Sequence, residues 1–353
     1  MHEPRPWMIY GANGYTGALI AQAAADAGLR PLLAGRNRET VGPLARRLGL
    51  EKRVFPLLGQ RSIEASLEGV ALVLNCAGPF SATCAPLLQA CLASGTHYLD
   101  ISGELDSFAH CHAQHERAQA AGITVLPGVG FDVVPSDCLA LQLKQALPRA
   151  DELRLAIEGE GGSSPGTAHT SLEGLRMGGR ARIRGRLERV PLAAHTLQYT
   201  RAGQARSAVS IPWGDLYTAW VSTGIANIET FLALPPRAQA SLRRARWLRP
   251  LLAIAPLRAR LHARIARDVH GPDTSTRAAS HAWVWGEARA ADGSCVRRAL
   301  QTRNGYDFTV QAALACVQRI LAEPVQPGYH TPAQRFGATF VFDIPGVRPL
   351  DTD

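Results

Sequence analysis

Two hydrophobic periods divide the chain. Up to residue 132, short continuous apolar runs alternate with stretches whose apolar positions recur every three or four residues. Met8-Ile9-Tyr10 is the first run and reads as a buried strand; Ala18, Leu19, Ile20, Ala23 and Ala24 follow at helical spacing. Further strands are expected at 30–34, 54–57, 71–74, 97–99 and 123–126, with helices over 41–48, 62–67, 83–93 and 107–121. Strand and helix in alternation build a parallel sheet covered on both faces. The first domain is therefore expected to be an α/β, Rossmann-type unit over residues 1–132.

Beyond residue 133 the pattern changes. An amphipathic helix over 135–147 closes at Pro148, and strand-like segments follow at 153–158, 181–189, 196–200, 208–211, 225–234, 282–288 and 296–302. Strands in succession predict a mostly antiparallel sheet, the platform of a second, α+β substrate domain over 133–353. A helix over 166–177 is expected beneath that sheet. An arginine-rich helical pair over 236–268 is split by Pro250 and Pro256, a helix covers 305–322, and a last strand covers 339–344.

Candidate chemistry begins at the turn between the first strand and the first helix. Gly11-Ala12-Asn13-Gly14-Tyr15-Thr16-Gly17 spaces its glycines G-x-x-G-x-x-G in a strand–turn–helix context, as a dinucleotide fingerprint requires. Gly11 permits the sharp turn, Gly14 a close approach to a pyrophosphate, and Gly17 tight packing of helix on strand. The helix start supplies N–H groups and partial positive charge for the diphosphate.

The end of the second strand decides between cofactors. An NAD site places an acidic residue there to accept the ribose hydroxyls, whereas this chain has Gly35-Arg36-Asn37-Arg38. A guanidinium can fork onto a 2′-phosphate, so the expected cofactor is NADP(H). A solvated arginine in a surface turn is the plainer alternative for Arg36. The expected cofactor set is Gly11, Asn13, Gly14, Tyr15, Thr16, Gly17, Arg36, Asn37 and Arg38. Asn75, Ala77, Gly78, Pro79 and Phe80 join it from the turn after the fourth strand. Ligands bind outside the carboxyl ends of such strands, so the turns starting at Asn75, Asp100 and Pro127 should converge on the nicotinamide.

Charge narrows the partners. The 353 residues carry a net charge of +9, and every cation except Lys52 and Lys144 is arginine. No basic cluster with interleaved aromatics marks a nucleic-acid reader. The arginine excess fits anionic ligands, an acidic lipid surface or genomic base bias. In the 236–268 pair, Leu257, Leu261 and Ile265 share a face, with Arg258, Arg260, Arg264 and Arg267 beside or opposite them. That pattern suits either peripheral contact with an anionic membrane or a surface helix packed on its own domain or on a homodimer partner.

Seven cysteines without a C-x-x-C pair read as buried free thiols in a reducing compartment. With no signal peptide and no eighteen-residue apolar span, a cytoplasmic protein is expected. No metal site is expected. His110 and His112 point about 200° apart on a helix, so His110, Cys111, His112 and His115 do not converge.

The segments GANGYTG, LAGRN, NCAGPF, HYLDISGE and LPGVGFDVVPSD stand in the order found in the saccharopine dehydrogenase-like oxidoreductases. The chain most resembles the bacterial branch that includes the trans-acting enoyl reductases. IPWGDLYTAWVSTGIANIETFLALP and TPAQRFGATFVFDIPGV extend the resemblance over nearly the whole sequence. The resemblance implies an NADP-binding Rossmann domain, an α+β substrate domain, and a C-terminal segment, 331–345, packing back on the first domain. It does not imply saccharopine as substrate. NADPH-dependent reduction of the C=C bond of an acyl or lipid-like enoyl substrate is the leading activity. Imine or carbonyl reduction and non-catalytic NADP sensing are the alternatives.

The proton donor must be found elsewhere than in a Tyr-x-x-x-Lys pair, because no tyrosine stands four residues before either lysine. Candidates at the strand ends are Ser102, Glu104, Asp132, Ser136 and Asp137. Tyr217 and Thr167 are candidates from the second domain. Helix capping competes for Asp132 and Ser136, satisfaction of loop amides for Asp100, and fixing its own loop for Asn75.

Overall fold

The computed structural model describes residues 6–248 and 254–352. The chain forms two compact units, the first gathering residues up to 132 together with 308–335. Its strands are β1 (Trp7–Tyr10), β2 (Leu32–Gly35), β3 (Lys52–Val54), β4 (Leu72–Asn75), β5 (His97–Asp100) and β6 (Thr124–Leu126), joined by Gly328–Tyr329 from late in the chain. Across the sheet the order runs Gly328–Tyr329, β6, β5, β4, β1, β2, β3, with every pair parallel. The order reverses between β1 and β4, which makes their carboxyl ends the topological switch point where such sheets take ligands.

Helices α1 (Tyr15–Asp26), α2 (Arg38–Leu48), α3 (Gln60–Ser66), α4 (Phe80–Ser94), α5 (Leu105–His112) and α6 (His115–Ala120) connect these strands. Strands β1, β2 and β4 are buried along their whole length, as apolar runs covered on two faces must be. The strand expected over 54–57 lies earlier, at 52–54, because Pro56 has no N–H for a ladder. The single helix expected over 107–121 is broken into α5 and α6. His112 stacks on the Tyr329 ring at 4.7 Å, and His115 Nδ1 accepts the Tyr329 N–H at 3.1 Å, so the break docks the last strand.

The second unit holds 133–307 and the residues from 336 onward. Its strands are β7 (Glu152–Gly159), β8 (Gly179–Ile183), β9 (Arg186–Val190), β10 (Thr196–Arg201), β11 (Gln204–Ser210), β12 (Asn227–Ala233), β13 (His281–Arg289), β14 (Cys295–Arg303) and β15 (Arg348–Leu350). The order is β10-β11-β12-β7-β13-β14-β15, with the β8–β9 hairpin off β12. The sheet is antiparallel except for one parallel pair, β7 with β12. On one face Leu197, Tyr199, Phe231 and Trp285 form an apolar cluster. On the other, helix α7 (Val134–Ala146) presses Leu139 and Leu143 onto Gly286.

Several expectations are corrected here. The segment 181–189 is the β8–β9 hairpin, turning through Arg184 and Gly185 at positive φ. Helix α8 (Pro165–Met177) buries no residue and lies against a helix instead of beneath the sheet. Helix α9 (Asp215–Thr223) was not foreseen from the pattern. The expected last strand, 339–344, is a 3-10 turn at Phe340–Asp343, with Phe340 and Val341 buried. The late segment that joins the first unit is 308–335, which includes the start of the expected return of 331–345, while 336 onward joins the second.

The arginine-rich pair forms α10 (Pro236–Leu248) and α11 (Ala255–Asp268), Pro256 sitting in the first turn of α11. Pro250 lies outside the described residues. A short α12 (Thr274–Ala279) precedes β13, and α13 (Gly305–Ala322) has the expected limits. No described helix is long and apolar enough to cross a membrane.

Candidate functional site

The turn after β1 is built by contacts that admit no side chain. Gly11 has φ +82°, and a Cβ there would lie 2.7 Å from the Ala77 backbone nitrogen. At Gly17 it would lie 2.3 Å from the Gly11 carbonyl oxygen. The turn is tied to the end of β2 by Gly11 and Ala12 N–H groups, both donating to the Ala34 carbonyl. Gly14 is the N-cap of α1 and supplies no side-chain cap, and the start of a helix offers N–H groups and partial positive charge to an anion. A cradle of this form fits a diphosphate.

Arg36 and Arg38 are exposed at the end of β2. Arg36 lies near Tyr10, whose hydroxyl donates to the Phe55 carbonyl at 3.2 Å. Burial pushes that phenol up to about 12, and the Arg36 charge opposes the rise. Asn13 lies over Gly35, its Oδ1 2.9 Å from where a Cβ would stand. Asn37, in the expected cofactor set, caps α2: its Oδ1 accepts the Glu39 N–H at 2.7 Å. Tyr15 and Thr16 open α1.

The loop after β4 is fixed by Asn75, which is wholly buried. Its Oδ1 accepts the Ala77 N–H at 3.0 Å, and its Nδ2 donates to Thr83 Oγ1 and to the Tyr98 hydroxyl. Thr83 closes the loop by donating to the Ala77 carbonyl at 2.6 Å. The amide of Asn75 thus shapes the turn, the loop-fixing role weighed for it. Ala77, Gly78 and Pro79 follow through a cis Gly78–Pro79 bond to Phe80, the first residue of α4.

Glu104 is a helix cap in this structure. Its two carboxylate oxygens accept the N–H groups of Phe80 and Ser81, at 2.9 and 2.8 Å. Anionic charge at a helix N-terminus is favourable there. Ser102 is buried and accepts the Glu104 N–H at 3.0 Å. Both therefore belong to the frame of the site.

Asp100 satisfies loop amides, as expected, and in doing so joins two loops. Its Oδ1 accepts the Ser102 and Gly128 N–H groups, and its Oδ2 accepts the Tyr98 hydroxyl at 2.9 Å. Burial pushes its carboxyl up to about 6 despite these bonds. The available signal was an acid ending an apolar strand.

Asp132 stands just before α7, whose N-cap is Val133, a residue without a capping side chain. A Cβ on Gly103 would stand 2.7 Å from Asp132 Oδ2, so the absence of one leaves room for the carboxyl. Burial pushes Asp132 up to about 6. A carboxyl that keeps its proton up to about pH 6 is suited to donating it.

In the second unit Ser136 donates to the Val133 carbonyl at 3.1 Å, and Asp137 accepts the Ser222 hydroxyl at 2.5 Å. Tyr217 stands on α9 against Trp220, with the Arg182 guanidinium 4.1 Å from the Trp220 ring centre. Thr167 pairs with the Tyr306 hydroxyl at 3.0 Å. Separately, Arg154, Tyr199, Glu287, Arg289 and Arg297 line a cavity of about 240 Å³. Glu287 is buried between Arg289 and Arg297, at 2.5 and 2.7 Å.

The histidines near Cys111 serve the packing already described. Cys84 and Cys111 have sulfurs 3.4 Å apart beside Asp100, and burial raises the Cys111 thiol. Cys76, Cys84, Cys91, Cys111, Cys138, Cys295 and Cys316 form no disulfide, and Cys295 is exposed.

Residues 7–126 match the family model described as the saccharopine dehydrogenase NADP binding domain. A trans-acting enoyl reductase of Mycobacterium leprae is 35% identical over 144 residues, 38% of this chain and 34% of that protein. A saccharopine dehydrogenase-like oxidoreductase of Mus musculus is 32% identical over 157 residues, 38% of this chain and 37% of that protein. The chain thus spans well under half the length of these curated relatives. The fold matches apo saccharopine dehydrogenase (L-Glu forming) of Saccharomyces cerevisiae with a TM-score of 0.64. That match covers 98% of this chain and 100% of the other at 12% identity, a likeness of fold.

Proposed function

Since residues 7–126 belong to the saccharopine dehydrogenase NADP-binding domain family, we propose that the chain is an NADPH-dependent oxidoreductase. In this reading it reduces the C=C bond of an acyl or lipid-like enoyl substrate. The observation that carries the proposal is the nucleotide corner. A turn too tight for any Cβ opens onto the start of α1, with Arg36 and Arg38 at the adjacent strand end where an NAD site would have an acid. The name of the Mycobacterium leprae relative supports the enoyl class.

Bound NADPH supplies the hydride. The chain positions and protonates. Asn75, Asp100 and Glu104 hold the strand-end loops rigid, through bonds to Ala77, Gly128 and Phe80. Asp132 holds a proton on its carboxyl up to about pH 6 and is the donor we assign to the substrate α-carbon.

An imine substrate of amino-acid type is the second reading, favoured by the arginines around the 240 Å³ cavity. Glu287 already neutralises part of that charge. The test is NADPH oxidation, followed by absorbance, against enoyl thioesters, cyclic imines and ketones. Turnover confined to enoyl thioesters supports the proposal. Turnover of imines alone supports the second reading, and NADPH binding without turnover of any class points to a sensor.

A further inference from the structure

Seven of the nine net positive charges lie on one helical pair. Helix α10 carries Arg237, Arg243, Arg244 and Arg246, and α11 carries Arg258, Arg260, Arg264 and Arg267, with Asp268 their only acid. Elsewhere the chain is close to neutral, so a general base bias in the coding sequence does not explain the excess.

The base of α10 is anchored. Gln239 Nε2 donates to the Leu234 carbonyl at 2.8 Å and the Ser207 carbonyl at 3.2 Å, and Arg243 donates to Thr196 Oγ1. Near its other end Trp247 is 74% exposed, with the Arg246 guanidinium 5.1 Å from its ring centre. Ile254, leading into α11, is 47% exposed. Helix α11 buries no residue. His262 on it meets His169 and Glu173 of α8, while Arg260, Arg264 and Arg267 are exposed.

An exposed indole and an exposed isoleucine on helices that carry eight arginines suit the boundary between lipid headgroups and acyl chains. There the ring and the arginine stems gain apolar contact while the charges meet phosphate. A nucleic acid or an acidic protein would answer the charge but leave the exposed apolar groups unmatched. We infer that α10 and α11 dock the protein peripherally on an anionic lipid surface. Trp247 and Ile254 enter the interface, and Arg244, Arg246 and Arg260 face headgroups.

The test is flotation of the full chain with phosphatidylcholine vesicles, and with vesicles mixing phosphatidylcholine and phosphatidylglycerol. The protein is expected to float with the mixed vesicles only and to be released in about 1 M salt, where charges are screened beyond about 3 Å. Replacing Arg244, Arg246 and Arg260 by Gln should weaken binding about fivefold per residue. Trp247→Ala should weaken it about tenfold. Melting temperature and NADPH affinity should stay at wild-type values. Absence of flotation, equal flotation with neutral vesicles, or full binding by the triple variant overturns the inference. Retention on duplex DNA without flotation overturns it too, in favour of a nucleic-acid surface.

Discussion

The carboxylate of Asp100 accepts the backbone N–H of Gly128 at 2.9 Å, joining the loop after β5 to the loop after β6. The same oxygen accepts the Ser102 N–H, so one side chain satisfies two amides in a dry interior. Asp100→Ala strands both and is expected to cost about 3 kcal/mol. Asp100→Asn keeps an acceptor oxygen and should lose under about 1 kcal/mol. Urea unfolding at pH 5 measures the difference.

Asp132 links stability to pH. Its carboxyl titrates near 6 in the fold, against 3.8 for the ordinary side chain. A raised carboxyl binds its proton more tightly when folded. Its stabilising contribution is therefore complete below about pH 4 and lost as pH rises through 6, amounting to about 3 kcal/mol. Asp132→Asn should gain melting temperature relative to wild type above pH 6 and show little gain near pH 4. If Asp132 is the donor, kcat/KM of wild type falls above pH 6. The Asn variant then loses that limb along with about a hundredfold or more of rate.

Glu104 should behave differently. Because it caps α4 through Phe80 and Ser81, Glu104→Ala is expected to lose about 1–2 kcal/mol of stability. The pH–rate profile should keep its shape. A vanished limb in that profile would restore Glu104 as an acid.

The first unit was readable where its determinants are local. β1, the glycine turn and α1 occupy consecutive residues, and their periods change at the glycines. The capping role of Glu104 is not legible in the sequence because the amides it caps lie 24 and 23 residues away. That of Asn37 is local, its partner two residues on, but the basic strand end beside it points equally to the cofactor. In the second unit, the parallel pairing of β7 with β12 joins residues far apart in sequence, and no local pattern encodes strand direction. The 3-10 turn at Phe340–Asp343 imitated a strand because its apolar run is short and uninterrupted.

Gly17 gives a direct check of the turn. With the Gly11 carbonyl oxygen 2.3 Å from the site of a Cβ, Gly17→Ala must move backbone. It should lower stability by about 1–3 kcal/mol and weaken NADPH at least tenfold. Calorimetry of folding and of cofactor binding reads both.

The most direct measurement is the affinity of NADPH and NADH for wild type and for Arg36→Ala, by titration calorimetry. Wild type is expected to prefer NADPH by about ten- to a hundredfold, the worth of one charge-assisted bond to the 2′-phosphate. The variant should lose most of that preference while its NADH affinity changes little. Equal affinities in wild type, or equal losses for both nucleotides in the variant, would contradict the assignment of this corner to a phosphorylated adenosine.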